Sequence, residues 1–306
     1  MVNNDAQIVV CADNRTFRIL RGLLAARSRV LRNIIAAPRA STEQIDGCPV
    51  VQLPDSAQDL QAFMSAISDP NYFQPAPTPL RLSVVLKVLR LSKRYEVPPL
   101  YRRALEHLAV DGWYRQTFDE HSHDHLTDIA PEETALRNSL SVIETAVEVG
   151  AQWLLPCAYY CLAGHEPDVL RPFLVGNMEP HVQKCIAAHS SLLRGVIKVN
   201  QFLTQAGDKQ CATLARCKAA RASATSDLLA MLNQPWVDPT PPTLEITTDA
   251  NMKSRGMCDH CRALAKTRLR KAAAKFWNKL PKLFGLPTWE ELHEMNRVAM
   301  GEDSSD

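Results

Sequence analysis

Apolar positions near the start of the chain come in short runs with β character. QIVVCA (7–12) and TFRIL (16–20) flank Asp13-Asn14-Arg15, turn chemistry that predicts a hairpin. The spacing then turns helical. In GLLAARSRVLRNII, Leu23 and Val30 stand seven apart, as do Leu24 and Leu31, and Ile34 and Ile35 complete one buried face. Arg21, Arg27, Arg29 and Arg32 take the other side. DGCPVVQLPDSAQDLQAFMSAI (46–67) holds both periods. Val51 and Leu53 fall on one face of a short strand and Val50 on the other; Asp55 or Ser56 then caps a helix with Leu60, Phe63, Met64 and Ile67 at i, i+3, i+4, i+7. That helix stops near Asp69-Pro70, and the prolines of YFQPAPTP (72–79) dictate a loop. LRLSVVLKVLRLSKRYEV (80–97) is apolar nearly all round, which predicts a helix buried on two sides. Pro98-Pro99 ends it, and LYRRALEHLAV continues as another helix.

The second half is helical in pattern. PEETALRNSLSVIETAVEVGAQWLLPCAYYCLAG (131–164) predicts two helices, with Pro131 suited to a first helical position. Residues 179–206 predict a long helix with a stripe of Val182, Ile186, His189, Leu193 and Val196, in which His189 reads as a satisfied core histidine. Residues 209–233 predict another helix, and PWVDPTPPTLEITTDANMKS (235–254) a proline-rich connector. In RALAKTRLRKAAAKFWNKL (262–280), Leu269, Phe276 and Leu280 mark an apolar side ringed by Arg262, Lys266, Arg270, Lys275 and Lys279. FGLPTWEEL predicts a packed terminal turn and a short helix.

The order strand, strand, FRILRGLLAARSRVLRNII, DGCPVVQLPDSAQDLQAFMSAI, VLRLSKRYEVPPLYRRALEHL resembles a BTB/POZ domain, nearest to the BTB-domain proteins of mushroom-forming fungi. The likeness covers residues 5–110 and continues more weakly through PCAYYCLAG and FWNKLPKLFGLPTWEEL. It rests on Phe17, Leu24, Ser28, Val51, Leu53, Leu89, Tyr95, Val97 and Leu100, most of them core positions. The resemblance implies an α/β domain, a small sheet with helical hairpins, that self-associates as a homodimer or recruits a protein partner. Gln7, Leu20, Arg29 and Leu31 stand where the family has Asp, His, Pro and Phe. Gln7 weighs against the family's usual homodimer, and no hydrophobic-x-Glu element of the kind that grips a cullin is present.

With 306 residues, 46% hydrophobic and 22% charged, the chain can bury two ordinary cores. Net charge is +2, but residues 255–282 carry nine Lys/Arg against one acid, so the rest is net −6. An anionic partner would be met there, at Arg262, Lys266, Arg270, Lys275 and Lys279. A helix docked on its own domain is the favoured reading of this segment, ahead of nucleic acid. Membrane binding comes last because the apolar stripe is thin. The start of the chain lacks a secretory pattern, no apolar run is long enough to span a bilayer, and nine cysteines suit a reducing compartment. An intracellular protein is expected, in nucleus or cytoplasm.

Cysteine spacing supplies the strongest chemistry. Cys258 and Cys261 have the two-residue gap that lets both thiolates chelate one tetrahedral zinc. Cys211 and Cys217 offer a second pair, separated by a wider gap, with His260 or Cys185 as alternates. A structural zinc would staple the tail to the helical domain; unmetallated thiols are the alternative. Cys157 and Cys161, four apart amid Leu, Ala and Tyr, read as core residues. HSHDH (121–125), with Asp119, Glu120 and Asp124, reads as a solvated loop. There is no G-x-G-x-x-G, P-loop, G-x-S-x-G or H-E-x-x-H, and 11 glycines leave few phosphate-cradling turns.

The expected organisation is a BTB/POZ domain at 1–112, a helical domain at 113–234, a linker at 235–254 and a Cys-x-x-Cys basic helical tail at 255–306. The expected function is non-catalytic protein–protein interaction, with no catalytic residues and no small-molecule substrate. A cullin-type ubiquitin-ligase adaptor and a nucleic-acid-linked regulator are the alternatives.

Overall fold

The structure, a computed structural model, describes residues 7–36, 44–114, 132–205, 209–233 and 248–302. It divides into two compact units, Met1–Asp111 with Val147–Gly150, and Gly112–Ala146 with Ala151–Asp306. The chain is mostly helical, with a small four-stranded mixed sheet in the first unit. HSHDH and residues 235–247 of the connector lie outside the described residues.

In the first unit, β1 (Gln7–Ala12) and β2 (Arg15–Leu20) pair antiparallel around a two-residue turn. Asp13 at the turn has φ 47°, and its carboxylate accepts the Ala57 N–H at 2.8 Å, tying the hairpin tip to a later helix. Next come α1 (Arg21–Arg27) and α2 (Arg29–Ala36). The expected single helix is broken at Ser28, whose backbone is extended at φ −138°, ψ 123°. Ser28 closes α1 through its N–H to Leu24 O (2.9 Å) and opens α2 by accepting the Leu31 N–H on its hydroxyl (2.9 Å). That hydroxyl also donates to Tyr95 O, so the break is pinned from outside. The buried face keeps Leu24, Leu31 and Ile35, while Leu23, Val30 and Ile34 are half-buried.

β3 (Gln44–Ile45) and β4 (Cys48–Gln52) complete the sheet in the order β2-β1-β4-β3, with β4 parallel to β1. In α3 (Ala57–Ser68), Ser56 is the cap, accepting from Asp59 N at 3.1 Å. Asp55 is not the cap: it is buried and bound by the Arg94 guanidinium and the Tyr95 hydroxyl. Burial and the Asp55 carboxylate together push the Tyr95 phenol well above its ordinary pKa. α4 (Leu82–Arg94) buries Val85, Leu86, Val88, Leu89 and Leu91. It ends at Arg94, before Glu96 at φ 50°. Pro98-Pro99 then occupy the first positions of α5 (Pro98–Val110), so they open a helix where the sequence suggested a stop. α1 and α3 lie on β1 and β2, α4 packs on α3, and α4 and α5 form a hairpin.

The second unit holds α6 (Glu132–Val149, its last turn counted with the first unit), α7 (Leu155–Ala163), α8 (Pro167–Leu170) and α9 (Glu179–Val199). It continues with α10 (Leu214–Leu232), α11 (Asp249–Ser254), α12 (Asp259–Trp277), α13 (Leu280–Leu283) and α14 (Trp289–Met300). The buried stripe of α9 is Val182, Cys185, Ala188, Leu192, Val196 and Val199, rotated from the expected one and leaving Ile186 and Leu193 half-buried. His189 is half-buried and its Nδ1 meets Ala163 O at 2.8 Å. Cys157 and Cys185 are core residues, and Cys161 is half-buried. The end of the expected connector is helical: Thr248 caps α11, and Met252 is buried. Among the described residues, no helix is long and apolar enough to cross a membrane.

Candidate metal centre

Both cysteine pairs sit at helix starts. Cys211 lies in the turn ahead of α10, and Cys217 is the fourth residue of that helix. Cys258 is the N-cap residue of α12, and Cys261 falls in its first turn. A helix start presents unpaired N–H groups and the positive end of the helix dipole, both favourable to a thiolate. The approach to Cys258 is shaped by a glycine turn. Gly256 has φ 84°, its N–H bonds Lys253 O (2.9 Å), and the Met257 N–H bonds Met252 O (3.1 Å). This closes α11 in a Schellman motif, with Met252 and Met257 buried in one cluster. The chain then turns straight into α12.

The fold brings the four sulfurs together. The Sγ atoms of Cys211, Cys217, Cys258 and Cys261 all lie within 4.8 Å of one another, and those of Cys211 and Cys258 are 4.0 Å apart. Zinc–thiolate bonds of about 2.3 Å in a tetrahedron require sulfur–sulfur separations of about 3.8 Å. A set of thiols at this spacing needs only small side-chain adjustments to close on one ion. All nine cysteines are free thiols.

Backbone N–H groups already address the sulfurs. The Cys258 N–H donates to Cys217 Sγ at 3.2 Å. Cys258 Sγ accepts from the backbone of Cys261 and Ala212, and Cys211 Sγ from that of Thr213. The Cys261 N–H is the chief cause that brings the Cys258 thiol down to about 6. Burial pushes the Cys261 thiol up, and desolvation raises Cys211. Cys217 and Cys261 are buried in the core with Val196, Phe202, Met252, Met257 and Leu269, while Cys211 and Cys258 stand half-buried at its rim. The arrangement can hold one soft metal ion and leaves no ligand position for a substrate, which is the form of a structural site.

Neither alternate joins the cluster: Cys185 is buried against Tyr159 O, and His260 is not among the four. The candidate anion-binding residues divide. Arg262 is mostly buried and ion-paired to Asp249 (2.6 Å) and to Asp259, so it serves to fasten α11 to α12. Lys266, Arg270, Lys275 and Lys279 are exposed. The inward stripe of α12 is Cys261, Ala265, Leu269, Ala273 and Trp277, with Phe276 half-buried beside it. Ala265 and Ala273 escape the spacing reading because alanines score as neutral, although a four-residue repeat from Cys261 picks out the whole row to Trp277.

No protein-family model, curated protein or solved structure matches this chain.

Proposed function

We propose that the chain is a non-catalytic interaction protein. Its first unit is a BTB/POZ-type domain that self-associates or recruits a protein partner, and its second unit is clasped by one structural zinc on Cys211, Cys217, Cys258 and Cys261. The observation that carries the interaction reading is the topology of residues 7–110: a hairpin, two short helices, a strand returning parallel to β1, a helix and a helical hairpin. Buried polar side chains of this unit serve the fold. Ser28 splits two helices, Asp55 anchors Arg94 and Tyr95, and His107 meets Gln74 O at 2.8 Å. The outward side chains are therefore what the unit offers to other molecules, including half-exposed Leu20 on the edge strand β2 and Val110 at the end of α5.

Sedimentation of the full chain, alone and with proteins that co-purify in stoichiometric amount, tests the interaction reading. A dimer or a defined complex that Leu20→Asp or Val110→Asp dissociates is the expected result. A monomer that carries no stoichiometric protein overturns it. For the metal, elemental analysis is expected to give one zinc per chain, and far less for Cys258→Ser.

A further inference from the structure

Residues 184–282 hold 17 Lys/Arg against 6 Asp/Glu, a net of +11 in a chain whose total is +2. Three of those acids lie among the described residues, and each is engaged by an arginine: Asp227 by Arg255 (2.6 Å), and Asp249 and Asp259 by Arg262. Those three acids lie against two arginines that are themselves largely covered.

The helix geometry organises that field. The inward stripe of α12 takes its apolar residues into the core. At about 100° per residue, Arg268, Lys271 and Lys275 fall along one flank of the stripe, and Lys266 and Arg270 along the other; all five are exposed. Successive charges on one flank rise by about one helical turn, ~5 Å. At the crossing of α9 and α12, a Cβ added to Gly195 would lie 2.2 Å from the Phe276 ring. The exposed Arg194 and Lys198 of α9 flank that glycine, and the exposed Lys275 adjoins that ring. No apolar face of α12 remains to enter a bilayer, which separates this surface from a membrane-binding helix.

We infer that this face of the second unit binds the phosphate backbone of double-stranded nucleic acid, without reading sequence. Docking of α12 and binding by α12 are compatible, because they use different sides of one helix. Phosphate contacts from lysine and arginine supply affinity that falls steeply with salt.

The test is fluorescence anisotropy of the full chain as purified with labelled random-sequence duplex DNA and duplex RNA. Anionic phosphatidylserine vesicles and polyglutamate serve as competitors. Binding to a duplex is expected at ~50 mM salt and is expected to weaken roughly a hundredfold at ~200 mM, as about four phosphate contacts dictate. The triple variant Lys266→Ala, Lys271→Ala, Lys275→Ala is expected to lose at least about tenfold in affinity at low salt and to show a flatter salt dependence. Its metal content and melting temperature should be unchanged, since alanine suits exposed helix positions. The stronger of the DNA and RNA arms identifies the duplex. Absence of binding at low salt, unchanged binding by the triple variant, or competition by polyglutamate or vesicles as strong as by unlabelled duplex would each overturn the inference.

Discussion

Single residues carry much of what is specific to this chain. Gly195 lies inside α9, where glycine costs about 1 kcal/mol relative to alanine. The Phe276 ring occupies the space a side chain would need, 2.2 Å from an added Cβ. Gly195→Ala is therefore expected to destabilise the chain by about 1–3 kcal/mol despite the better helix propensity, and Phe276→Leu to recover part of the loss; denaturant midpoints of the two single variants and the double variant measure both. Gly256 is constrained differently: its φ of 84° and the Arg216 guanidinium, 3.1 Å from an added Cβ, both resist a side chain. His165 supplies a pH dependence. It is 1% exposed, and burial lowers its pKa from 6.5 to about 4. With the folded value below the unfolded one, the unfolded chain binds the extra proton first. The contribution of His165 is thus complete above pH 6.5 and is lost as pH falls toward about 4. At full extent it is worth up to about 3 kcal/mol. His165→Gln is expected to remove that part of the acid sensitivity, read as the difference between the two chains in urea midpoints across this pH range.

At the scale of elements, periodicity foretold more than punctuation did. The β1–β2 hairpin, the α3 face of Leu60, Phe63, Met64 and Ile67, and a cap at Asp55 or Ser56 follow directly from local spacing and turn chemistry. The break at Ser28 was not legible, because its cause is Tyr95 O, 67 residues away. Local chemistry does not choose between Asp55 and Ser56 as the cap for the same reason: the partners of Asp55, Arg94 and Tyr95, are distant in sequence. By residue type alone Pro98 reads as a stop, although proline also opens helices, and only the end of α4 at Arg94 decides which. The Cys-x-x-Cys pair was visible; its match with Cys211 and Cys217 across 40 intervening residues required two helix starts to converge. Ser28→Ala is expected to cost about 1–3 kcal/mol, since it orphans the Leu31 N–H beneath a buried junction. Ser28→Thr, which keeps the hydroxyl, should retain more of the stability; equal loss in both variants, measured by urea denaturation, would assign the effect to packing alone.

The whole molecule combines two different ways of holding a fold. The first unit is organised by a sheet, a helical hairpin and a charge network in which Arg90 and Arg94 reach Asp59, Asp55 and Glu148. The second unit is organised at its carboxyl-terminal end by a core that mixes small residues, Cys217, Ala220 and Ala224 on α10 and Cys261, Ala265 and Ala273 on α12, with larger ones such as Val196, Phe202, Met252 and Leu269. Alanines bury little area per residue, so this core gains less from the hydrophobic effect than one built of leucines. Four thiols at its rim and centre are placed to close a cross-link on one metal ion. A metal that binds the folded arrangement and not the separated pairs stabilises that unit in proportion to its affinity. Thermal scans of the full chain are accordingly expected to show two transitions. Chelation should lower one of them by at least about 5 °C while leaving the other in place. Cys258→Ser without chelator should reproduce the shifted scan, and added zinc should restore the chelated wild-type chain but not the variant. Scans that coincide with and without chelator, on protein shown to have lost its metal, would leave that core sufficient by itself and remove the clasp from the account.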